Sequence, residues 1–171
     1  MKSRFCLIFV LTIAMATTTL ALAETNHRLG VGAQYWTVVN SIDAEHINKE
    51  GFSGIVSYQL IPTSMLKFEL DLEVAPDGII IPDKTAYAPQ AYVIVGKGIY
   101  AALGIGIWYA NDKFMDEPFY ALRAGVDLEV LPSVFLDINA NYRFARWDYE
   151  AIKGDISGDT VTLGTMLRVE F

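Results

Sequence analysis

Charged residues in this 171-residue chain recur at intervals of two. Lys67, Glu69, Asp71 and Glu73 form one run, and Arg123, Asp127 and Glu129 form another. Asp137, Asn139, Asn141 and Arg143 make a third, and Arg168 and Glu170 lie just before the last residue. Side chains spaced by two share one face of a β-strand. Carboxylates gathered on such a face can work as an acid and a base, line an ion path, or be held in ion pairs as a structural cluster. With Arg28 included, five bases (Arg28, Lys67, Arg123, Arg143, Arg168) stand against seven acids (Glu69, Asp71, Glu73, Asp127, Glu129, Asp137, Glu170). The two histidines are His27 and His46. Asp43 and Glu45 precede His46, but no second ligand pair has metal-site spacing, so no metal centre is expected. No phosphate loop, nucleotide fingerprint or thiol chemistry is present, and no cofactor is expected.

The elements that must position these charges are strands. Eight alternating runs consume nearly the whole chain: Arg28–Val38, Gly51–Leu60, Met65–Val74, Thr85–Val95, Gly98–Ala110, Phe119–Val130, Ser133–Arg146 and Asp159–Phe171. The last is the clearest. Val161, Leu163, Thr165, Leu167, Val169 and Phe171 line one face, and Thr160, Thr162, Gly164, Met166, Arg168 and Glu170 line the other. A strand of about 9–11 residues crosses a bilayer's hydrocarbon core when tilted. The connections alternate in length. Val39–Glu50, Ala75–Lys84, Asn111–Pro118 and Trp147–Gly158 are long and polar, whereas Ile61–Ser64, Gly96-Lys97-Gly98 and Leu131-Pro132-Ser133 are short turns. Long loops at one end and short turns at the other are the plan of an up-and-down transmembrane barrel.

The amino terminus reads as an export signal. Lys2 and Arg4 precede an apolar stretch from Phe5 to Met15, and Ala21-Leu22-Ala23 fits a cleavage site before Glu24. Residues 1–23 are thus expected to be a signal peptide and 24–171 a single barrel domain. Cys6, the one cysteine, falls in the signal, which excludes disulfides from the mature chain. Removing Lys2 and Arg4 leaves 11 bases against 20 acids, a net charge of −9. That balance argues against nucleic acid as a charge-driven partner.

Alternation alone does not say which face is inside, since a soluble ligand-binding barrel uses the same pattern turned inside out. Three features favour a polar lumen. Glycines (Gly30, Gly32, Gly104, Gly106, Gly125, Gly164) sit on the polar faces, where missing side chains leave room in a narrow bore. Mid-strand apolar faces are mostly aliphatic, as in Leu66-Phe68-Leu70-Leu72. Aromatics gather near strand ends: Tyr35, Tyr87, Trp108, Tyr109, Tyr120, Phe144 and Trp147 at the long-loop end, and Tyr58, Tyr100 and Phe171 at the other. Two such girdles mark the interfaces of a membrane barrel. Tyr100 and Trp108 fall on the glycine-bearing face of their run. Closure of the barrel pairs the first and last strands and brings Arg28 near Glu170. The turn at Pro132 sets Asp127 close to Asp137, with Arg123 and Arg168 as candidate counter-ions. Glu69, Asp71 and Glu73 face an uncharged neighbour (Ser53, Ile55, Ser57, Gln59), so their partners must reach across the lumen.

On these features, and on the closing Leu167-Arg168-Val169-Glu170-Phe171, the chain resembles the OmpA/OmpX-like outer-membrane β-barrel family. The resemblance implies an all-β fold, an eight-stranded antiparallel up-and-down transmembrane β-barrel. It further implies Leu167, Val169 and Phe171 as the signal read by the barrel-assembly machinery, with outer-membrane lipid and lipopolysaccharide as surroundings. Barrel enzymes of lipid A deacylation carry His-x-Ser, and neither His27 nor His46 has Ser two residues on, so no catalytic residue is expected. The expectation is a non-enzymatic barrel with a salt-bridged lumen, whose long loops have a structural or surface-binding role. The alternatives are a small channel for ions or solutes and a soluble periplasmic ligand-binding barrel.

Overall fold

The computed structural model describes residues 25–38, 50–77, 85–110, 112–115, 118–144 and 159–171. The expected signal segment, most of the long loops 39–50, 75–84 and 147–158, His46 and Trp147 lie outside these residues. Ten strands follow in order. They are β1 (Asn26–Val38), β2 (Glu50–Thr63), β3 (Leu66–Ala75), β4 (Ala86–Lys97), β5 (Ile99–Gly106), β6 (Tyr109–Ala110), β7 (Lys113–Phe114), β8 (Phe119–Leu131), β9 (Val134–Phe144) and β10 (Thr160–Glu170). Eight are long and close a barrel in the order β1-β2-β3-β4-β5-β8-β9-β10, with β10 returning antiparallel to β1. The two-residue strands β6 and β7 form a small hairpin at the rim, joined to β4 through Tyr87 and Tyr109.

The fifth expected run, Gly98–Ala110, is broken. β5 stops at Gly106, and pairing resumes only at Tyr109. The cause lies on β4, where Pro89 has no N–H to offer its neighbour. Its carbonyl still accepts from Ile107 N at 3.2 Å, but the ladder lapses there. Two of the short turns pass through positive φ. Gly96 and Gly98 sit at φ 131° and 77°, and Ser133 takes 61° in the β8–β9 turn.

The register fixes the bore. A row of paired residues runs from Tyr120 on β8 through Ile105, Ala91, Leu70, Tyr58, Leu29, Val169 and Val134, and returns to β8 at Leu131. The row comes back eleven positions further along the strand, and the bulge between Glu129 and Leu131 accounts for one of them. The stagger of about ten residues per circuit in eight strands corresponds to a strand tilt of roughly 40° and a lumen just wide enough for side chains.

Polar and apolar faces fall as a membrane barrel requires. On β3 the inward Lys67, Glu69, Asp71 and Glu73 are buried and the outward Phe68, Leu70 and Leu72 are exposed. Leu103 on β5 and Leu163 on β10 are 63 % and 59 % exposed. A soluble barrel with an apolar lumen would show the reverse. Among the described residues, no helix is long and apolar enough to cross a membrane.

Candidate functional site: the lumen charge cluster

Each inward charge stands on a strand at a position of the right parity, so the wall itself aims it at the axis. What the register alone does not set is which charge meets which. Three tiers of ion pairs result. Nearest the short turns, Asp127 takes both Arg28 (2.7 Å) and Lys67 (2.5 Å), while Arg28 also holds Glu170 through Nε at 2.8 Å. In the middle, Arg123 pairs with Glu69 and with Asp71 (2.8 Å), and Arg168 joins Glu69 (2.8 Å) to Asp137 (2.9 Å). Nearest the long loops, Arg143 meets Glu73 at 2.8 Å.

The middle tier is a septum. The side chains of Arg123, Glu69, Asp71, Arg168 and Asp137 are all 0 % exposed. Neutral donors complete the carboxylates. Gln59 donates to Glu69, Tyr100 to Asp137 at 2.7 Å, Asn139 to Asp137 at 2.5 Å, and Ser53 and Gln90 to Glu73 at 2.7 and 2.8 Å. Rings support the cations. The Arg123 guanidinium lies 3.7 Å from the centre of Tyr92, and that of Arg28 lies 3.4 Å from Phe135. Buried charges need pairing of this kind to stay ionised.

Several placements differ from expectation. Asp127 and Asp137 are paired residues, as the turn at Pro132 implies, but Arg123 serves neither of them. Its long side chain crosses the bore to β3, and Arg28 and Lys67 neutralise Asp127 instead. Glu129 is not a lumen residue. It is exposed beside the bulge at the end of β8, where it accepts the Ser133 N–H at 3.2 Å. With Glu129 outside and Glu170 at the rim (side chain 23 % exposed), the buried set among the described residues holds five bases and five acids and is formally neutral.

Tyr100 and Trp108 do not join a girdle. Tyr100 is buried in the lumen, and its ring occupies the space over Gly125, where an added Cβ would lie 2.6 Å from it. Trp108 follows the break after β5. It is half-buried against the cluster of Trp36, Ala75, Ala86 and Ala110, with its ring 5.9 Å from that of Phe119. Tyr35, Tyr58, Tyr87, Tyr109, Tyr120, Phe144 and Phe171 stand on the outer face near strand ends. Phe171 stacks on His27, which bonds the Tyr58 hydroxyl at 2.7 Å. Leu167 and Val169 are exposed on the wall of β10. Sequence reasoning passed over the uncharged lumen residues Gln90, Tyr92, Phe119 and Phe135. Their parity marks them as inward, but no charge draws attention to them.

Concavities on the molecule include two shallow apolar grooves of about 580 and 470 Å³ on the wall, which meet at Val93 and Leu103. Among the described residues no group of three or more metal-binding side chains converges.

No family model matches the chain, and no curated protein matches it by sequence. Solved structures do match in shape. Neisserial surface protein A superposes with a TM-score of 0.53 at 18 % identity, covering 86 % of this chain and 97 % of its own. Ail, the attachment invasion locus protein of Yersinia pestis, gives 0.53 at 12 % identity, with 86 % and 99 % covered, in a complex with the heparin analogue sucrose octasulfate. The N-terminal β-barrel domain of Pseudomonas aeruginosa OprF gives 0.51 at 10 % identity, with 84 % and 97 % covered. In fold, the chain is a small eight-stranded barrel of the outer-membrane type, the OmpA/OmpX-like architecture that its sequence resembles.

Proposed function

We propose that the protein is a closed, non-enzymatic barrel of the bacterial outer membrane that acts as a structural element or through its long-loop end, and not as a pore. The observation that carries this reading is the septum. Arg123, Glu69, Asp71, Arg168 and Asp137 fill the middle of the bore with no exposed side chain. The apolar wall supports a lipid environment, with lipopolysaccharide as its outer leaflet and the barrel-assembly machinery reading the strand that ends in Phe171. The surface role draws support from likeness in fold to a surface protein and an attachment protein. It also fits Phe114 and Met115, which the rim hairpin and its flank leave exposed at the long-loop end. Export by an amino-terminal signal completes the reading.

The test is single-channel recording on the mature protein refolded in detergent and added to a planar bilayer, with insertion checked by heat-modifiable gel mobility. Stable insertion without conductance is expected. Discrete conductance steps would overturn the closed reading and turn the same charges into a selectivity filter. Removal of residues 147–158 should abolish surface binding and leave insertion intact.

A further inference from the structure

The middle tier holds more acid than base. Glu69, Asp71 and Asp137 stand against Arg123 and Arg168, and none of the five side chains is exposed. The other two tiers balance by themselves. Arg28 and Lys67 meet Asp127 and Glu170 on the short-turn side, and Arg143 meets Glu73 on the long-loop side. The buried set is neutral only with Glu170 left out, yet Arg28 is bound to Glu170 as well as to Asp127. Lys67, the next cation along β3, is held by Asp127 at 2.5 Å. The excess negative charge therefore belongs to the septum. A site closed to water does not keep an uncompensated carboxylate and takes up a proton instead.

Contacts within the tier say where that proton sits. Glu69 and Asp71 lie two apart on the inward face of β3, and one guanidinium bridges them. Arg123 donates through Nη1 to Glu69 and through Nη2 to Asp71, the latter at 2.8 Å. The two carboxyl groups are also in hydrogen-bond contact with each other. Ionised carboxylates only accept, so a bond between them requires an O–H on one. Glu69 is the better supplied with donors, since Arg168 (2.8 Å) and the Gln59 amide reach it besides Arg123. Among the described residues, Arg123 is the ion-pair partner of Asp71. The neighbouring β2 offers Asp71 only the uncharged Ser57 and Gln59. Tyr92 of β4 and Tyr100 of β5 stand near the same guanidinium, and Arg168 of β10 is already shared by Glu69 and by Asp137 of β9.

We propose that Glu69 and Asp71 form a buried proton-binding site, in which the two carboxyls share one proton that resides on Asp71 at neutral pH. With it the middle tier holds two guanidiniums and two carboxylates. The Asp71 O–H donates to Glu69, and the remaining Asp71 oxygen accepts from Arg123. A sodium ion in the same place would need the two carboxyls apart, and they are in contact. The site rests on the closed-lumen reading for the absence of water from this tier.

The test is infrared spectroscopy on the mature chain at pH 7, where Asp and Glu are ordinarily ionised, refolded in a detergent free of ester and carboxyl groups. A protonated carboxyl has a carbonyl stretch apart from the amide and carboxylate bands. One such band is expected. It should vanish in Asp71→Asn and in Glu69→Gln, because loss of either acid ends the need for the proton. Asp71→Asn should also keep the parent's midpoint in urea unfolding from lipid vesicles, since the amide donates to Glu69 and accepts from Arg123 as the protonated acid does. A parent spectrum without the band would overturn the proposal, as would a band that survives both substitutions. Failure of Asp71→Asn to fold, or a midpoint lowered as far as that of Arg168→Ala, would overturn it too, because an ionised Asp71 would then have been lost. The bilayer recording decides the closed lumen separately, and a barrel that neither conducts nor shows the band would overturn the proton alone.

Discussion

The septum and the short-turn rim are built from the same kinds of ion pair, yet they hold them under opposite conditions. At the septum Arg168 bridges Glu69 and Asp137, and all three side chains are 0 % exposed. At the rim Arg28 bridges Asp127 and Glu170, and the Glu170 side chain is 23 % exposed. Water can replace a lost partner at the rim. At the septum nothing replaces it, and an uncompensated charge remains. Charge count is thus a poor guide to what each pair contributes, and surroundings decide.

The largest test of that contrast is Arg168→Ala. It strands Asp137 and removes one of two cations from Glu69, so the loss should be about 3–5 kcal/mol in urea unfolding from lipid vesicles. An unchanged midpoint would remove the structural role of the septum. Next is the wall, where Leu103→Arg places a charge against lipid at mid-strand. A loss of about 2–4 kcal/mol is expected in the same assay, and a neutral result would mean that this face does not meet hydrocarbon. Gly125→Val should cost about 1–3 kcal/mol by crowding the Tyr100 ring, and Tyr100→Leu in the same chain should recover part of it. Failure of the double variant to recover would separate the glycine from the ring. Smallest is Glu170→Gln at the rim, expected to cost about 1 kcal/mol or less because Asp127 still holds Arg28. A loss matching that of Arg168→Ala would erase the distinction between the two regions.

Much of this arrangement is legible in the sequence, because parity is a local property. Alternation sets Glu69, Asp71 and Arg168 on faces opposite to their apolar neighbours, glycine placement and the aromatic girdles turn those faces inward, and barrel closure pairs Arg28 with Glu170. Counter-ion choice across the bore is not local. Arg123 reaches Glu69 and Asp71 because the stagger brings distant strand segments to one height, and no neighbour relation along the chain expresses that. Where expectation failed, a second cue had overruled parity or a strand end had intervened. At Tyr100 nearness to a turn argues for a girdle although its face is that of Gly104 and Gly106. Glu129 had inward parity but lies where the wall has run out. The Trp108 placement turned on Pro89, a residue of another strand.

The row that leaves Tyr120 and returns at Leu131 also limits how the gene for such a barrel can change. A single-residue insertion within any long strand would turn the rest of that strand inside out, putting charges into lipid and leucines into the bore. A two-residue deletion keeps every side chain on its face, yet it slides the rest of that strand by two positions past both neighbours. Septum charges beyond the deletion would then stand at the wrong height to meet their partners. Strand length is therefore held by two separate locks, one on parity and one on height along the bore, whereas the connections at the long-loop end are bound by neither. Drift in length should accumulate there, which leaves the long-loop end of the molecule as the part that can diversify.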